Sequence, residues 1–154
     1  MSGIGSKFLS LIRVKIGIPV LATLSAVAGY ILAAEGVGLD LVLPLLGIFF
    51  LAVGSSALNQ VQDRAFDILM DRTKGRPIPA GILSAREGFW MASLLILVGM
   101  ALLVITKNPV LIALGAFAVL WYNGVYTYLK RKSAFAVVPG AIIGSIPPVV
   151  GWVA

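Results

Sequence analysis

Three polar side chains recur every four residues, and their chemistry suits binding of a metal ion and a phosphate. Asn59, Asp63 and Asp67 stand in the stretch NQVQDRAFDILMDRTKGRPIPAG, residues 59–81. Each step of four residues on an α-helix turns about 400°, so the side chains share one face and stand about 6 Å apart. Asp71 continues the series if the helix extends that far. Two carboxylates at this separation do not readily chelate one Mg²⁺, but each can hold a Mg²⁺ that phosphate oxygens also bind.

Basic side chains follow the acids and can neutralise the same phosphates through charge-assisted hydrogen bonds. They are Arg72, Lys74 and Arg76. We expect Pro77 and Pro79 to end the helix and to set a stiff turn into Gly81. The alternative is a plain charged loop in which Asp–Arg pairs simply face water. The position of the acids directly after an apolar stretch favours binding, because polar groups at a membrane boundary are costly and tend to be functional.

Composition indicates a polytopic membrane protein. The 154 residues are 60% hydrophobic and 12% charged, whereas soluble domains carry about 25% charged residues. The chain has no Cys and no His, which excludes disulfides, thiolate metal sites and the commonest general base. A metal site would then use oxygen ligands, as Mg²⁺ and Ca²⁺ sites do. We interpret the net charge of +6 as membrane topology rather than nucleic-acid binding, because the basic residues lie at span ends.

Five apolar stretches are each close to the roughly 20 residues that a bilayer crossing needs. They cover residues 16–34, 41–58, 89–105, 110–128 and 135–154. Gly29 is expected to allow close helix packing, and the last stretch is expected to be broken at Pro139 and at Pro147–Pro148. The segment from Lys7 to Lys15 is compatible with an amphipathic helix at the membrane surface. The expected fold class is all-α, with residues 1–154 forming a single transmembrane bundle of about five spans.

The uneven distribution of basic residues predicts the orientation in the membrane. Three lie before the first span, five in the loop of residues 59–88 and three in the cluster 130–132, which leaves only Lys107 on the other side. The positive-inside rule places the N-terminus and the 59–88 loop in the cytosol, and we expect a bacterial or archaeal cell membrane. The turn with Glu35 and Asp40 then lies outside. No Asp, Glu, Lys or Arg falls inside a predicted span, which counts against the alternative of a small transporter.

The charged stretch resembles a family motif. The pattern NxxxDxxxD followed by RPxxxG is similar to the first aspartate-rich motif of the UbiA superfamily of intramembrane prenyltransferases. The finer pattern DxxxDxxMxRTxxRP most resembles the heme O synthases (protoheme IX farnesyltransferases) within it. Its residues here are Asp63, Asp67, Met70, Arg72, Thr73, Arg76 and Pro77. Two later stretches fit the same family, YTYLKRKSAF at 126–135 and GAIIGSIPPVVGW at 140–152.

The resemblance implies Mg²⁺-dependent transfer of a polyprenyl group, such as farnesyl, from its diphosphate to an aromatic or heme-type acceptor. A quinone precursor or another lipid is the alternative acceptor. The implied ligands of Mg²⁺ and the diphosphate are Asn59, Asp63 and Asp67, of which the two aspartates would be catalytic. The implied partners of the leaving diphosphate are Arg72, Lys74 and Arg76. Tyr126 and Lys130 share a helix face that can reach the same cavity, although an interfacial aromatic and a topology lysine are the favoured interpretation.

The chain resembles only the N-terminal half of the family's nine-span bundle. The family has a second aspartate-rich motif in a later loop, whereas the only acid after Asp71 here is Glu87, in the same loop. The opening of the first span, RVKIGIP at 13–19, also departs from the family's basic residue followed by proline. Three interpretations stay open. The chain is the N-terminal part of a longer enzyme, or pairs with a second half or with itself, or is a non-catalytic membrane subunit.

Overall fold

The computed structural model describes residues 3–34 and 38–154, so the predicted outer turn at Glu35 lies outside the described residues. Within these ranges the chain is helical and has no strand. The helices are α1 (Ile4–Arg13), α2 (Gly17–Ala33), α3 (Val42–Asp67), α4 (Ala85–Ile105), α5 (Pro109–Leu120), α6 (Thr127–Leu129) and α7 (Val137–Val153). A π-helical turn, Trp121–Tyr126, joins α5 to α6, and short 3₁₀ turns precede α3 and α7.

In the part of the chain that the structure describes, four helical segments are long and apolar enough to cross a membrane. They are Leu39–Asp67, Ala85–Ile105, Pro109–Leu129 and Ala134–Val153. A fifth candidate is the pair α1 and α2, which is bent by 66° at the break between the two helices. The prediction of an all-α membrane bundle with about five spans is confirmed, and the chain is an integral membrane protein.

Helix α1 lies against the charged end of α3 instead of continuing α2. Leu11 is fully buried in a cluster that includes Ala57 of α3 and Leu83. The Gln60 side-chain amide donates to the Leu11 carbonyl at 3.1 Å, and Lys7 forms a 2.9 Å ion pair with Glu87. These contacts fix the turn between α1 and α2 beside the stretch that carries the acids.

Helices α2 and α7 approach each other backbone to backbone. A Cβ atom on Gly29 would lie 2.0 Å from the Pro148 carbonyl oxygen, and one on Gly151 would lie 1.8 Å from the Ala26 carbonyl oxygen. Neither glycine therefore tolerates a side chain without separating the helices, as is common where membrane helices pack closely. The expectation of close packing at Gly29 is confirmed.

The expected break in the last span is wrong, because α7 runs without interruption from Val137 to Val153. Pro139 lies in its first turn, where the missing N–H has no intrahelical partner. Pro147 and Pro148 lie inside the helix. A membrane helix tolerates internal proline when its neighbours support the freed backbone groups, and α2 packs against this part of α7.

Helix α3 ends at Asp67, well before the prolines that were expected to end it. The hydroxyl of Thr73 donates to the Asp67 carbonyl at 2.9 Å and thereby satisfies one of the carbonyls at the helix end. Asp71 therefore does not continue the face of α3, which corrects the conditional prediction for this residue. The expected turn into Gly81 is present, with a φ of +73° that favours glycine.

Candidate functional site

The three residues singled out by their spacing lie on the last turns of α3 and face the protein. Asn59, Asp63 and Asp67 are all buried. Their burial is not required by their position, because polar residues at the end of a membrane helix can also face water. Buried charges need partners, because an isolated carboxylate is strongly destabilised in an apolar environment. The partners come from three separate segments of the chain.

Asp63 is held by the basic cluster that follows α6. Lys130 donates to Oδ2 of Asp63 at 2.5 Å. Arg131 donates to Oδ1 through Nη2 at 2.6 Å and through Nε at 3.1 Å, and its Nη2 also donates to the Gln62 carbonyl at 2.9 Å. Lys130 and Arg131, which follow the fourth span, thus bind a carboxylate near the end of the second span.

Asp67 is held by the loop that follows α3. Nη1 of Arg76 lies 2.7 Å from both carboxylate oxygens. The loop returns to this position because Thr73 is hydrogen-bonded to the Asp67 backbone. Asp67 therefore anchors the loop after α3 twice, through its side chain to Arg76 and through its backbone carbonyl to Thr73.

Asn59 lies deeper and is bonded on both sides. Lys15, in the turn between α1 and α2, donates to its Oδ1 at 2.8 Å. Its Nδ2 donates to the Thr127 hydroxyl at 3.0 Å. Thr127 in turn donates to the Tyr122 carbonyl at 2.8 Å, within the π-helical turn. The irregular turn thus supplies an acceptor that supports the orientation of Asn59, which fits the frequent use of π-turns at functional sites.

The environment of Lys15 alters its ionisation. Burial, together with the positive charges of Arg76 and Lys130, lowers the pKa of Lys15 from 10.5 to about 8, against the opposing effect of Asp63 and Asp67. Lys15 is therefore still charged at neutral pH, but it loses its proton far more readily than an exposed lysine.

These side chains surround an open cavity of about 980 Å³, here called the charged cavity. Seven charged residues line it: Lys15, Asp63, Asp67, Arg72, Arg76, Lys130 and Arg131. Five cations against two carboxylates leave an excess of three positive charges. Such a surface favours a multiply charged anion, and phosphate groups are the usual partners of clustered arginine and lysine.

A second cavity of about 300 Å³, here called the apolar cavity, lies on the same side of α3 nearer the middle of the span. Its walls come from α2, α3, α5 and α7, and include Leu21, Leu51, Val119 and Ile143. Ser55 also lines it, one helical turn before Asn59. The apolar cavity and the charged cavity therefore follow each other along one face of α3. This arrangement suits a ligand with an apolar tail and an anionic head.

The structure groups most, but not all, of the residues predicted from sequence. Asp63, Asp67, Arg72 and Arg76 line the charged cavity, and Asn59 supports it from below. Lys74 instead pairs with Asp71 at 2.7 Å on the exposed loop, and neither residue lines the charged cavity.

Tyr126 and Lys130 stay close in the structure, with Nζ of Lys130 5.6 Å from the centre of the Tyr126 ring, but only Lys130 of the two lines the charged cavity. Lys130 lines the charged cavity and binds Asp63, so it reaches the cavity as the alternative interpretation allowed, and its role there stays a prediction. Tyr126 does not line the charged cavity, and its ring stacks on Tyr122 with centroids 5.5 Å apart.

Sequence reasoning missed Lys15 and Arg131 as cavity residues. Lys15 was counted as a topology signal and as the end of a possible surface helix, and Arg131 as a topology signal within the stretch 126–135 that fits the family. For Arg131 the sequence offered only its adjacency to the candidate residue Lys130. Lys15 had no such signal, since its position depends on the bend between α1 and α2.

Comparisons with known proteins agree with this architecture. A model of the UbiA prenyltransferase family matches residues 22–154. A protein from Geobacter sulfurreducens named protoheme IX farnesyltransferase is 44% identical over 130 residues, which are 84% of this chain and 47% of that protein. One of the same name from Oleidesulfovibrio alaskensis is 40% identical over 136 residues, 87% of this chain and 48% of that protein. The chain thus spans about half the length of these curated relatives.

A mitochondrial protoheme IX farnesyltransferase from Yarrowia lipolytica is 38% identical over 136 residues, covering 88% of this chain and 29% of that protein. A solved structure, reported in work on the biosynthesis of digeranylgeranylglyceryl phosphate synthase in membranes, superposes with a TM-score of 0.82 at 20% identity. The superposition covers 96% of this chain and 52% of that chain. At this identity the similarity concerns the fold.

Proposed function

Because the chain belongs to the UbiA prenyltransferase family, we propose that it forms the diphosphate-binding, N-terminal part of an intramembrane prenyltransferase site. The donor is a polyprenyl diphosphate, and the names of the relatives favour farnesyl as the group and a heme-type ring as the acceptor. A quinone precursor is the competing acceptor. The observation that carries the proposal is the charged cavity, which places an excess of cations at the end of an apolar bundle.

The donor set suits Mg²⁺ bound together with substrate. The carboxylates of Asp63 and Asp67 are hard oxygen ligands that line the charged cavity, and Asn59 lies one turn deeper. Among the described residues no group of three or more acids gathers to hold a metal alone. One or two carboxylates completed by phosphate oxygens and water is the usual mode of Mg²⁺ binding. When bound, Mg²⁺ would withdraw charge from the departing diphosphate.

The chain's own residues would act mainly on the leaving group. Heterolysis of the allylic C–O bond leaves the electron pair on the diphosphate, and the acceptor's π-electrons form the new C–C bond. The positive charge then left on the acceptor is discharged by loss of a proton to water, or by addition of water followed by loss of a proton. Lys15, Arg76, Lys130 and Arg131 present preformed positive charge where the negative charge develops, which is the most effective form of electrostatic catalysis. The apolar cavity would hold the isoprenoid chain away from water and so protect the allylic cation.

We propose that the charged cavity opens to the cytosol, as the distribution of basic residues indicates. A cysteine at Ala80, in the exposed loop after α3, is then expected to react with an impermeant maleimide only from the cytosolic side. One at Leu39, which precedes α3, is expected to react only from the opposite side. Both positions are exposed, so the reverse pattern of labelling would contradict the orientation.

Turnover tests the proposed function directly. Membranes that carry the protein at its natural length are supplied with farnesyl diphosphate and either heme B or a 4-hydroxybenzoate acceptor. We expect prenylated heme, dependent on Mg²⁺ and lost in the Asp67→Ala variant. Prenylated benzoate alone would select the competing acceptor, and turnover of neither by a folded protein would reject a prenyltransferase function.

A further inference from the structure

Apolar side chains form part of the rim of the charged cavity, where charged residues would be expected. Phe66 and Met70 line this cavity and are 45% and 52% exposed. They flank the end of α3, and the basic run of the next loop follows immediately. Exposed apolar side chains are common on a membrane protein, but these two line a cavity, and apolar walls with a few convergent polar groups are typical of sites for small ligands. We call Phe66 and Met70, together with Arg72, the rim surface.

Contacts connect the rim surface to the acids below it. The guanidinium carbon of Arg131 lies 4.7 Å from the centre of the Phe66 ring, which is a cation–π distance. The same guanidinium donates to Asp63. Phe66 is thereby held beside the cavity, with part of the ring still exposed.

The cations divide into two groups according to their partners. Arg76, Lys130 and Arg131 form ion pairs with the two cavity carboxylates. Within residues 3–34 and 38–154, Lys15 and Arg72 form no ion pair with a carboxylate. Lys15 is half-buried and is bonded to Asn59, which lies beneath the cavity, whereas Arg72 is exposed at the rim. The site thus offers two separate positions for anionic groups.

We propose that the rim surface binds the acceptor, as a flat apolar ring that carries a carboxylate. The ring lies against Phe66 and Met70, and the carboxylate is bound by Arg72. The deep position at Lys15 and Asn59 is left to the donor's diphosphate, next to the carboxylates and the apolar cavity. This inference rests on the proposed function and assigns the acceptor of that reaction to the rim surface. From the sequence, Arg72 was expected to bind the diphosphate, and no role was expected for Phe66 or Met70.

The chemistry of the rim surface fits this occupant. A flexible thioether and an aromatic face adapt well to a flat ring, and a guanidinium binds a carboxylate through two hydrogen bonds. A heme-type ring combines a large apolar face with carboxylate side chains. The competing occupant is an anionic lipid headgroup, which would use Arg72 but would not need Phe66 or Met70.

The decisive experiment is a titration of heme B into the natural-length protein in phosphatidylcholine nanodiscs, followed by absorbance, with empty nanodiscs subtracted. We expect Met70→Ala and Arg72→Gln each to weaken heme binding about tenfold, the usual effect of losing one buried apolar side chain or one charged hydrogen bond. The matched controls are Leu69→Ala and Lys74→Gln. Leu69 is 81% exposed in the same loop, and neither residue lines the charged cavity. The controls should stay within twofold of the unaltered protein.

Steady-state kinetics provides the second measurement. The same two variants should raise KM for the acceptor about tenfold and leave KM for farnesyl diphosphate within twofold. Equal heme affinity in all variants, or an increase confined to the donor's KM, would overturn the inference. An effect of Arg72→Gln that appears only in nanodiscs with anionic lipid would assign the surface to lipid and overturn it too.

The two proposals fail separately. Absence of turnover by a folded protein that still binds heme through Met70 and Arg72 would reject the proposed function alone. Normal turnover with unaltered acceptor KM in both variants would reject the rim surface alone. Circular dichroism and yield of each purified variant exclude misfolding as the cause of a lost signal.

Discussion

Asp63 and Asp71 belong to the same short stretch and both form ion pairs, yet they differ in almost every physical respect. The Asp63 side chain is 9% exposed and its partners, Lys130 and Arg131, lie 67 and 68 residues away in sequence. The Asp71 side chain is 97% exposed and pairs with Lys74, three residues on. One pair connects a membrane helix to the turn after another at the wall of a cavity, and the other connects a loop to itself.

The difference shows what separates a site from a charged loop. An exposed pair of neighbours contributes about 0–1 kcal/mol and is readily exchanged for water. The buried carboxylate of Asp63 binds two cations from the turn after α6, so the three side chains hold one another in place. Removing one of these partners leaves a buried charge without compensation. Local spacing in the sequence cannot distinguish the two, because each acid is directly followed by an arginine, while the true partners of Asp63 lie far along the chain.

The largest expected effect comes from removing the charge of Asp63. In the natural-length enzyme, Asp63→Asn should lower kcat/KM for prenyl transfer by about 100- to 1,000-fold, the range seen when a preformed electrostatic group is lost. Asp71→Asn should stay within about twofold, since Asp71 and its partner Lys74 are both exposed. Turnover assays on both variants measure this contrast. Similar losses in the two would remove the distinction between the cavity acid and the loop acid.

A smaller effect is expected on the cationic side of the same pair. Arg131→Gln should lower kcat/KM for the donor about tenfold, because Asp63 would lose one of two cations and the cavity one positive charge. The adjacent Lys132 is exposed and does not line the charged cavity, so Lys132→Gln is the control and should behave like the unaltered protein. Kinetics at varied donor concentration separates the variants, and equal behaviour would exclude Arg131 from the site.

The smallest expected effect is a dependence on pH. The pKa of Lys15 is lowered to about 8, so its positive charge is lost as the pH rises through that value. The donor's kcat/KM should therefore fall a few-fold between pH 7 and pH 9, since this ratio reports groups of the free enzyme. A Lys15→Arg variant keeps its charge and should flatten the profile. If kcat/KM of the Lys15→Arg variant still falls between pH 7 and pH 9 as in the unaltered protein, a group other than Lys15 causes the pH dependence.

The sequence predicted the part of this site that depends on local periodicity. Apolar length defined the spans, and the spacing of four placed Asn59, Asp63 and Asp67 on one buried face of α3. It failed where the outcome depends on tertiary contacts. Asp71 leaves the face because Thr73 bonds to the Asp67 carbonyl and helps end the helix there. Internal prolines do not break α7, which packs closely against α2.

The contacts of the remaining cavity cations could not be assigned from the sequence for a similar reason. Lys15 reaches Asn59 only because α1 folds back, with Leu11 buried among residues of α3 and the following loop. Lys130 and Arg131 carry the ordinary signature of basic residues at a span end. Only the packing of α6 beside α3 shows that they bind a carboxylate instead of facing solvent.

The most direct test of the central claim is equilibrium binding of farnesyl diphosphate to the purified natural-length protein in the presence of Mg²⁺, measured by isothermal titration. Binding to the unaltered protein and to Asp71→Asn should agree within about twofold, whereas Asp63→Asn should bind at least about tenfold more weakly. Equal affinity in all three proteins would contradict the assignment of the charged cavity as the diphosphate site.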